Sequence, residues 1–380
     1  MCSRDGRAVG MTRIRAIELR LVALPLVRPF RTSFGEEAAK EAVLVRVETD
    51  DGEGWGECGA GPAPVYLEEF NAGVWLVVRE HLGPSLLAAD DVVGERVGEI
   101  LGWARGHRMA KAALEMAVVD AELRVARRSL ASYLGAERDR IECGVSVGIA
   151  PSTDALLEQV DGYLREGYRR VKLKIEPGVD VERVRAVRAA HPGILLSVDA
   201  NSAYTLDDFD VFEELDSFDL LMIEQPLAHD DLLQHAKLQA RIATAICLDE
   251  SVRSAADAAA ALELGACRII NIKVSRVGGL LEARRIHDLA RKLGAPVWCG
   301  GMLETGVGRA ANVAMAALPG FTLPGDTSAS GRYFAEDLTE PFVMSSDGTM
   351  AVPDGPGLGV TPLPDRLEVC TVRTERFDKE

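Results

Sequence analysis

Five charged residues recur along the middle of the chain, almost evenly spaced and each at the end of a short apolar run. They are Lys174, Asp199, Glu224, Asp249 and Lys273, at intervals of 25, 25, 25 and 24 residues. A buried charge is costly unless it is paired or bound to a metal. One strand, one helix and their two loops together take about 25 residues in a barrel of alternating strands and helices. The spacing therefore predicts consecutive strands of one parallel barrel that bring three carboxylates and two lysines to a common mouth.

The three carboxylates predict a divalent metal site. Asp199, Glu224 and Asp249 would repel one another strongly at one mouth unless a cation lay among them. Oxygen-only ligands suit Mg²⁺, with Mn²⁺ as the next candidate, and the absence of histidine from these strand ends argues against zinc. Asn201, two residues after Asp199, is expected to contact the ligand or metal-bound water. Glu250 is expected to face away from the mouth and to support the metal ligands from behind.

The lysines predict acid–base chemistry at carbon. Lys172 and Lys174 lie two apart in VKLKI and so face the same side of a strand. We expect mutual repulsion and partial burial to lower their pKa toward about 7–8, where a lysine can act as a general base. Structural salt bridges are the alternative interpretation for this pair. Lys273, four strands further round the barrel, would face Lys174 across the mouth, so the two could act on opposite faces of one carbon. Arg276 is expected to lower the pKa of Lys273 or to bind a substrate carboxylate, with a loop-to-helix salt bridge as the alternative.

The elements that must position these residues follow from the hydrophobic pattern. From residue 141 onward, short apolar runs alternate with amphipathic segments, which predicts a parallel sheet covered by helices and closed into a barrel. The eight runs are 141–148, 169–175, 194–200, 220–225, 245–250, 268–274, 296–301 and 321–325.

An α+β module precedes the barrel. Residues 14–26 and 42–58 alternate like strands, with a turn at Asp51, while 28–36 reads as a polar and aromatic loop. Helices are predicted over 66–82 and 107–128, and a strand over 366–377 that returns to this module. The predicted fold is therefore α/β: a (β/α)7β TIM-like barrel with an N-terminal α+β capping domain completed by the C-terminal segment. The predicted boundaries are a flexible extension at 1–12, the capping domain at 13–135, the barrel at 136–330 and the return to the capping domain at 331–380.

Composition excludes several classes of partner. The chain of 380 residues is 47% hydrophobic with a net charge of −16, which argues against binding nucleic acid. Its apolar stretches are too short for a membrane helix, and the first residues lack the apolar run of a secretory signal. Seven cysteines without a CxxC pair predict reduced, mostly buried thiols in a cytoplasmic protein.

These residues resemble the enolase superfamily, specifically its muconate-lactonizing subgroup, over essentially the whole chain. The resemblance rests on Lys172, Lys174, the three carboxylates and Lys273. Several stretches are similar to the branch that contains o-succinylbenzoate synthase and N-acylamino acid (N-succinylamino acid) racemase. They are VKLKIEPG (171–178), VDANSAYTL (198–206), ICLDES (246–251), NIKVSRVGG (271–279), CGGMLETGVGRAAN (299–312) and LPGDTSAS (323–330). Val274-Ser275 departs from the Pro-Gly pair expected in this branch.

The resemblance implies a mechanism and its partners. A small-molecule substrate would bind through its carboxylate to Mg²⁺ held by Asp199, Glu224 and Asp249, and loss of the neighbouring proton would leave an enediolate. In a synthase, a dehydration of menaquinone biosynthesis, Lys174 would take the proton, water would leave, and Lys273 would serve as a cation. In a racemase, Lys174 and Lys273 would exchange acid and base roles. The resemblance also favours a homo-oligomer.

Substrate specificity is expected from the capping loops and the barrel rim, with domain packing as the alternative role. The candidates are Phe30, Phe34, Tyr66, Ser146, Gly301, Met302 and Asp326. A dipeptide epimerase or a muconate-type cycloisomerase is the alternative within the superfamily, although GDTSAS (325–330) carries only one acid where an epimerase should recognise a free amine. A catalytically dead scaffold and a sugar-acid dehydratase are less compatible with the complete set of lysines and the positions of the histidines.

Overall fold

A computed structural model describes residues 13–379 of the chain, so the predicted extension at 1–12 lies outside the described residues. The strands are β1 (Ile14–Thr32), β2 (Gly35–Thr49), β3 (Glu53–Cys58), β4 (Arg140–Glu142), β5 (Gly144–Val147), β6 (Arg170–Lys174), β7 (Leu195–Asp199), β8 (Ile223–Glu224), β9 (Ile246–Leu248), β10 (Ile269–Ile272), β11 (Val297–Cys299), β12 (Thr349–Ala351) and β13 (Thr371–Asp378). The α-helices are α1 (Asn71–Val77), α2 (Gly83–Ala88), α3 (Gly94–Ile100), α4 (Arg108–Val125), α5 (Leu130–Leu134), α6 (Thr153–Glu166), α7 (Val181–Ala190), α8 (Phe209–Asp216), α9 (Leu232–Gln239), α10 (Ala255–Glu263), α11 (Val274–Val277), α12 (Leu280–Leu293), α13 (Gly306–Ala316) and α14 (Pro364–Cys370). Within residues 13–379, no helix is both long enough and apolar enough to cross a membrane.

The capping module is an antiparallel sheet in the order β13-β1-β2-β3, with α4 packed across it. Gly54 and Gly56 of β3 allow this close approach, because a Cβ at either position would lie within about 2.2 Å of the α4 backbone. The predicted hairpin with its turn at Asp51 is confirmed. The helix predicted over 66–82 begins later and is less regular in the structure. Helix α1 begins at Asn71, and a π-helical segment, Val78–Leu82, links it to α2.

Two predictions about the edges of this module are wrong. Residues 28–36 are not an irregular loop, because β1 runs to Thr32 and pairs with β2 at Phe30↔Glu37 and Thr32↔Gly35. The end of this hairpin extends over the barrel mouth, since Phe30 and Phe34 line the same cavity as Lys174 and Lys273. The strand predicted over 366–377 is a helix in its first part, α14, and becomes β13 only from Thr371. The return itself is confirmed, since β13 pairs antiparallel with β1.

The barrel is confirmed as a parallel sheet that curls round a core covered by helices. Its hydrogen-bonded order runs from β5 to β11 without a crossover. The eighth predicted run closes the ring through single bridges rather than a full strand, with Phe321 bridging Val297 and Gly325 bridging Cys143. Because all strands are parallel, their carboxyl ends meet at one rim.

Two buried glutamates join the cap to the barrel. Glu57 of β3 accepts hydrogen bonds at the start of α13, and Glu115 of α4 accepts one from Leu281 N at the start of α12. Helix N-termini carry unpaired N–H groups and partial positive charge, so carboxylates suit them. Burial nevertheless raises the pKa of both Glu57 and Glu115 to about 7.

Candidate active site

The structure brings the five evenly spaced residues to one rim of the barrel. Lys174, Asp199 and Glu224 are the last residues of β6, β7 and β8, and they are in register with their neighbours. Asp249 and Lys273 directly follow β9 and β10. The three carboxylates are fully buried.

Each carboxylate faces a cation. Lys174 Nζ lies 2.6 Å from Asp199 Oδ2, and Lys273 Nζ lies 2.6 Å from Asp249 Oδ2. Lys172 Nζ lies 2.8 Å from Glu224 Oε2 and 3.2 Å from Asp199 Oδ2. The mouth is therefore a network in which each of these three lysines lies within 3 Å of a carboxylate oxygen.

This network overturns the expectation that repulsion lowers the pKa of Lys172. Burial does disfavour its charged form, but the carboxylates of Asp326, Glu224 and Asp199 outweigh burial and raise the pKa of Lys172 above its ordinary range. At Lys273, burial is likewise outweighed, chiefly by Tyr66 and Glu250, and its pKa is raised too. Contacts with acidic and tyrosine side chains from other elements, which the spacing of the lysines does not reveal, decide whether the pKa of Lys172 and Lys273 rises or falls.

The donor set fits a hard divalent cation in its chemistry. Asp199, Glu224 and Asp249 supply only oxygen atoms, and they are shielded from water. Burial, and then the neighbouring Asp199 carboxylate, raises the pKa of Glu224, and a cation held among these carboxylates would favour its ionised form. In the present arrangement, no three acidic, histidine or cysteine side chains of residues 13–379 converge closely enough to hold an ion, since each carboxylate is turned toward a cationic partner.

Asn201 and Glu250 lie at the mouth together. Asn201 Oδ1 accepts a hydrogen bond from Lys174 Nζ at 2.7 Å, and its Nδ2 donates to Glu250 Oε1 at 3.0 Å. Glu250 does not face away from the mouth as expected, because β9 ends at Leu248 and the alternation of side chains ends with it. Burial and the Asp199 charge raise the pKa of Glu250 to about 7.

Sequence reasoning missed two side chains that orient the carboxylates. Asn271 Nδ2 donates to Glu224 Oε1 at 2.7 Å. Gln225 Oε1 accepts from the backbone N–H of Asp249 at 3.0 Å, and Gln225 has a φ of 37°, in the left-handed region. Asn271 could have been found from the sequence, since it precedes Lys273 by two residues and so lies on the same side of the strand. Gln225 could not have been found in this way, because its contact with Asp249 depends on how two neighbouring loops meet.

Arg276 and Asp326 are occupied with the protein's own charges. Arg276 is fully buried, pairs with Asp249, and donates to the carbonyl of Asn271 at 2.6 Å. It does not line the cavity described below, which favours the salt-bridge interpretation over a substrate contact. Asp326 borders the cavity, but its two oxygens pair with Arg170 and Lys172.

A cavity of about 290 Å³ opens above the network, between the barrel rim and the cap. Ser146 of β5 lines it with a buried hydroxyl that has no hydrogen-bond partner among the described residues, so this hydroxyl is available to a ligand. The other predicted contact residues that line the cavity are Phe30, Phe34, Tyr66, Asn201, Gly301, Met302 and Asp326.

Tyr66 reaches further into the network than a loop residue that only shapes the cavity would. Its hydroxyl lies 3.1 Å from Asp249 Oδ2 and accepts a hydrogen bond from Lys273 Nζ at 3.0 Å. The ring centroid lies 4.6 Å from the same ammonium. Burial raises the pKa of the Tyr66 hydroxyl to about 12, so it stays a neutral donor.

Ser275, which stands where the resemblance led us to expect a residue of a Pro-Gly pair, ties the cap to the Lys273 turn. Its Oγ accepts a hydrogen bond from Gly59 N at 2.8 Å, and the contact is buried. A Cβ at Gly59 would lie 2.2 Å from Met302 Cε, the end of a flexible side chain, and 3.0 Å from this oxygen. A larger residue would therefore displace Met302 and crowd the contact with Ser275.

Comparison with known proteins covers both parts of the fold. Residues 16–135 match the mandelate racemase / muconate lactonizing enzyme N-terminal domain, and residues 155–366 match the enolase C-terminal domain-like family. An N-succinylamino acid racemase from Amycolatopsis sp is 58% identical over 360 residues, covering 94% of this chain and 98% of that protein. An o-succinylbenzoate synthase from Geobacillus stearothermophilus is 50% identical over 347 residues, covering 91% of this chain and 92% of that protein. A crystal structure of an enolase superfamily member from Listeria innocua aligns with a TM-score of 0.93 at 42% identity, covering 97% of this chain and 99% of that chain.

Proposed function

Because this chain belongs to the mandelate racemase / muconate lactonizing enzyme family of the enolase superfamily, we propose that it removes the proton next to a substrate carboxylate. The substrates proposed are N-succinylamino acids, which it would racemise, and the cyclohexadiene precursor of o-succinylbenzoate, which it would dehydrate. The names of relatives at 58% and 50% identity support these two classes.

One observation carries the proposal: Lys174 ends β6, Lys273 directly follows β10 four strands away, and the two flank three buried carboxylates. A proton can then leave one face of a carbon held between them and return to the other. Both reactions begin with the same proton removal, so one set of residues can serve both.

Asp199, Glu224 and Asp249 would hold Mg²⁺. When bound, the ion would supply a Lewis acid that stabilises negative charge growing on the substrate carboxylate. Lys174 holds Asn201 and Asp199 in this structure, and it would take or return the proton on its side. Lys273 would do the same on the opposite side as a racemase, and as a synthase it would act as a fixed cation. Tyr66 supports Lys273 by accepting its hydrogen bond.

The test combines racemisation with exchange of the α-proton for solvent deuterium. We expect the wild type with Mg²⁺ to exchange both enantiomers of an N-succinylamino acid. Lys174→Ala and Lys273→Ala should each lower racemisation by about 10²- to 10⁴-fold, the usual contribution of a general acid or base. Each variant should retain exchange with one enantiomer at most.

The matched control is Lys237→Ala, because Lys237 is exposed on α9, outside the barrel. It should behave as the wild type. Full racemisation by Lys273→Ala would refute the assignment of two bases, and the absence of both exchange and dehydration in the wild type would refute the proposed function.

A further inference from the structure

A fourth lysine lines the same cavity and differs from the other three. Lys40 of β2 is only 3% exposed, and its one hydrogen bond is a long contact of 3.4 Å from Nζ to Gly59 O. Among residues 13–379, no carboxylate oxygen lies within 4.0 Å of its ammonium. Lys172, Lys174 and Lys273, by contrast, each have at least one carboxylate within 3 Å.

A buried ammonium needs a charged or hydrogen-bonding partner in place of water. Taking an ammonium out of water costs several kcal/mol unless an anion or several hydrogen bonds replace the water. One carbonyl at 3.4 Å replaces little of it. Two acids lie in the same region, Glu57 and Glu69, but neither comes within ion-pair distance of the ammonium. Their oxygens accept hydrogen bonds from Thr305, Gly308, Met109 and Ala110 instead. An anion that enters the cavity would supply the charged partner that the described residues do not place beside Lys40.

The position of Lys40 separates this anion from the reacting carboxylate. Lys40 contacts the carbonyl of Gly59, whose N–H is bound by Ser275, two residues beyond Lys273. Lys40 therefore lies on the cap side of the cavity, above the turn that follows Lys273. The carboxylates that would hold the metal lie at the strand ends below. A ligand that spans the cavity would present one acidic end to each.

We propose that Lys40 binds the distal carboxylate of the substrate's succinyl arm and so selects succinylated substrates over those with an uncharged acyl group. This inference rests on the proposed function and deepens it. The two proposed substrate classes differ around the reacting carbon, which belongs to a ring in one and to an N-acylated amino acid in the other. Both carry a succinyl arm that ends in a carboxylate. A single buried ammonium on the cap would thus serve both reactions.

The experiment compares two substrates that differ in this carboxylate and the methylene that carries it, N-succinyl-L-leucine and N-acetyl-L-leucine. A hydrogen bond to a charged group contributes enough to change affinity by about 10- to 100-fold. In Lys40→Met, the ratio of kcat/KM for the succinyl compound to that for the acetyl compound should fall by this factor. Lys40→Gln, which keeps a neutral donor, should show the same direction, and Lys40→Arg should restore much of the preference. Lys237→Met is the matched control and should keep the wild-type ratio.

Calorimetry separates failure of this inference from failure of the proposed function. If the Mg²⁺-loaded wild type turns over neither leucine derivative nor the cyclohexadiene precursor, the proposed function is refuted, and Lys40 is judged on binding alone. Selective loss of N-succinyl-L-leucine binding in Lys40→Met and Lys40→Gln would then still support the assignment of Lys40 to the distal carboxylate. An unchanged ratio, equal loss for both compounds, or no binding of the succinyl compound to the wild type would overturn it.

Discussion

Glu57 offers a measurable test of how the cap is held over the barrel. Its carboxylate accepts hydrogen bonds from Thr305 Oγ1 at 2.6 Å, Thr305 N at 3.0 Å and Gly308 N at 2.8 Å. These donors favour the ionised form, while burial of the fully enclosed side chain opposes it. Burial prevails and raises the pKa of Glu57 from 4.5 to about 7. The cap is therefore docked most firmly while Glu57 is protonated.

The size of the effect follows from this rise in pKa. At 1.36 kcal/mol for each pKa unit, a rise from 4.5 to about 7 corresponds to about 3 kcal/mol. Since the folded pKa is the higher one, this contribution to stability is fully present below the unfolded pKa and is lost as pH rises through the folded pKa. Glu57→Gln cannot titrate. The free energy of unfolding of the wild type minus that of Glu57→Gln should fall by about 3 kcal/mol between pH 4.5 and pH 8.

Urea unfolding at these two pH values, followed by tryptophan fluorescence, measures this difference, and Glu115 cancels because both proteins contain it. Glu53→Gln is the matched control, since Glu53 lies on the same strand but is half exposed and pairs with Arg46 at the surface. A difference between wild type and Glu57→Gln that stays constant, or that grows with pH, would show that folding does not raise the pKa of Glu57 and would refute the argument from burial.

Two further substitutions test residues that position the site. Asn271→Ala removes the donor to Glu224 Oε1 and should weaken Mg²⁺ binding by about 10- to 100-fold in a metal titration by calorimetry; unchanged affinity would show that Asn271 does not orient this ligand. Ser275→Gly leaves the buried N–H of Gly59 without its acceptor, at a cost of about 1–3 kcal/mol to closure of the cap. We expect a higher KM with kcat little changed, whereas a fall in kcat at constant KM would place Ser275 in the chemical step instead.

The barrel and the candidate site were largely predictable because they depend on periodicity. Apolar runs about 25 residues apart imply parallel strands, and parallel strands imply that residues ending them share one rim. Side-chain alternation put Lys172 and Lys174 on one side, and it could also have found Asn271 from Lys273. The same rule misplaced Glu250, because alternation holds only while a strand continues and β9 ends at Leu248.

The sequence by itself determined which charged groups meet, since the repeat of strand and helix is written in its local pattern. Only the tertiary structure decided how those groups neutralise one another, which set the direction of the lysine pKa shifts. It also decided what the cap adds to the cavity: Tyr66 reaches Asp249 across 183 residues, and Glu57 reaches Thr305 across 248. Contacts of this kind depend on the docking of two separately patterned modules, and no local period along the chain encodes that docking. Lys40 shows the consequence, because nothing in the local pattern of β2 marks it as a buried cation that lines the cavity.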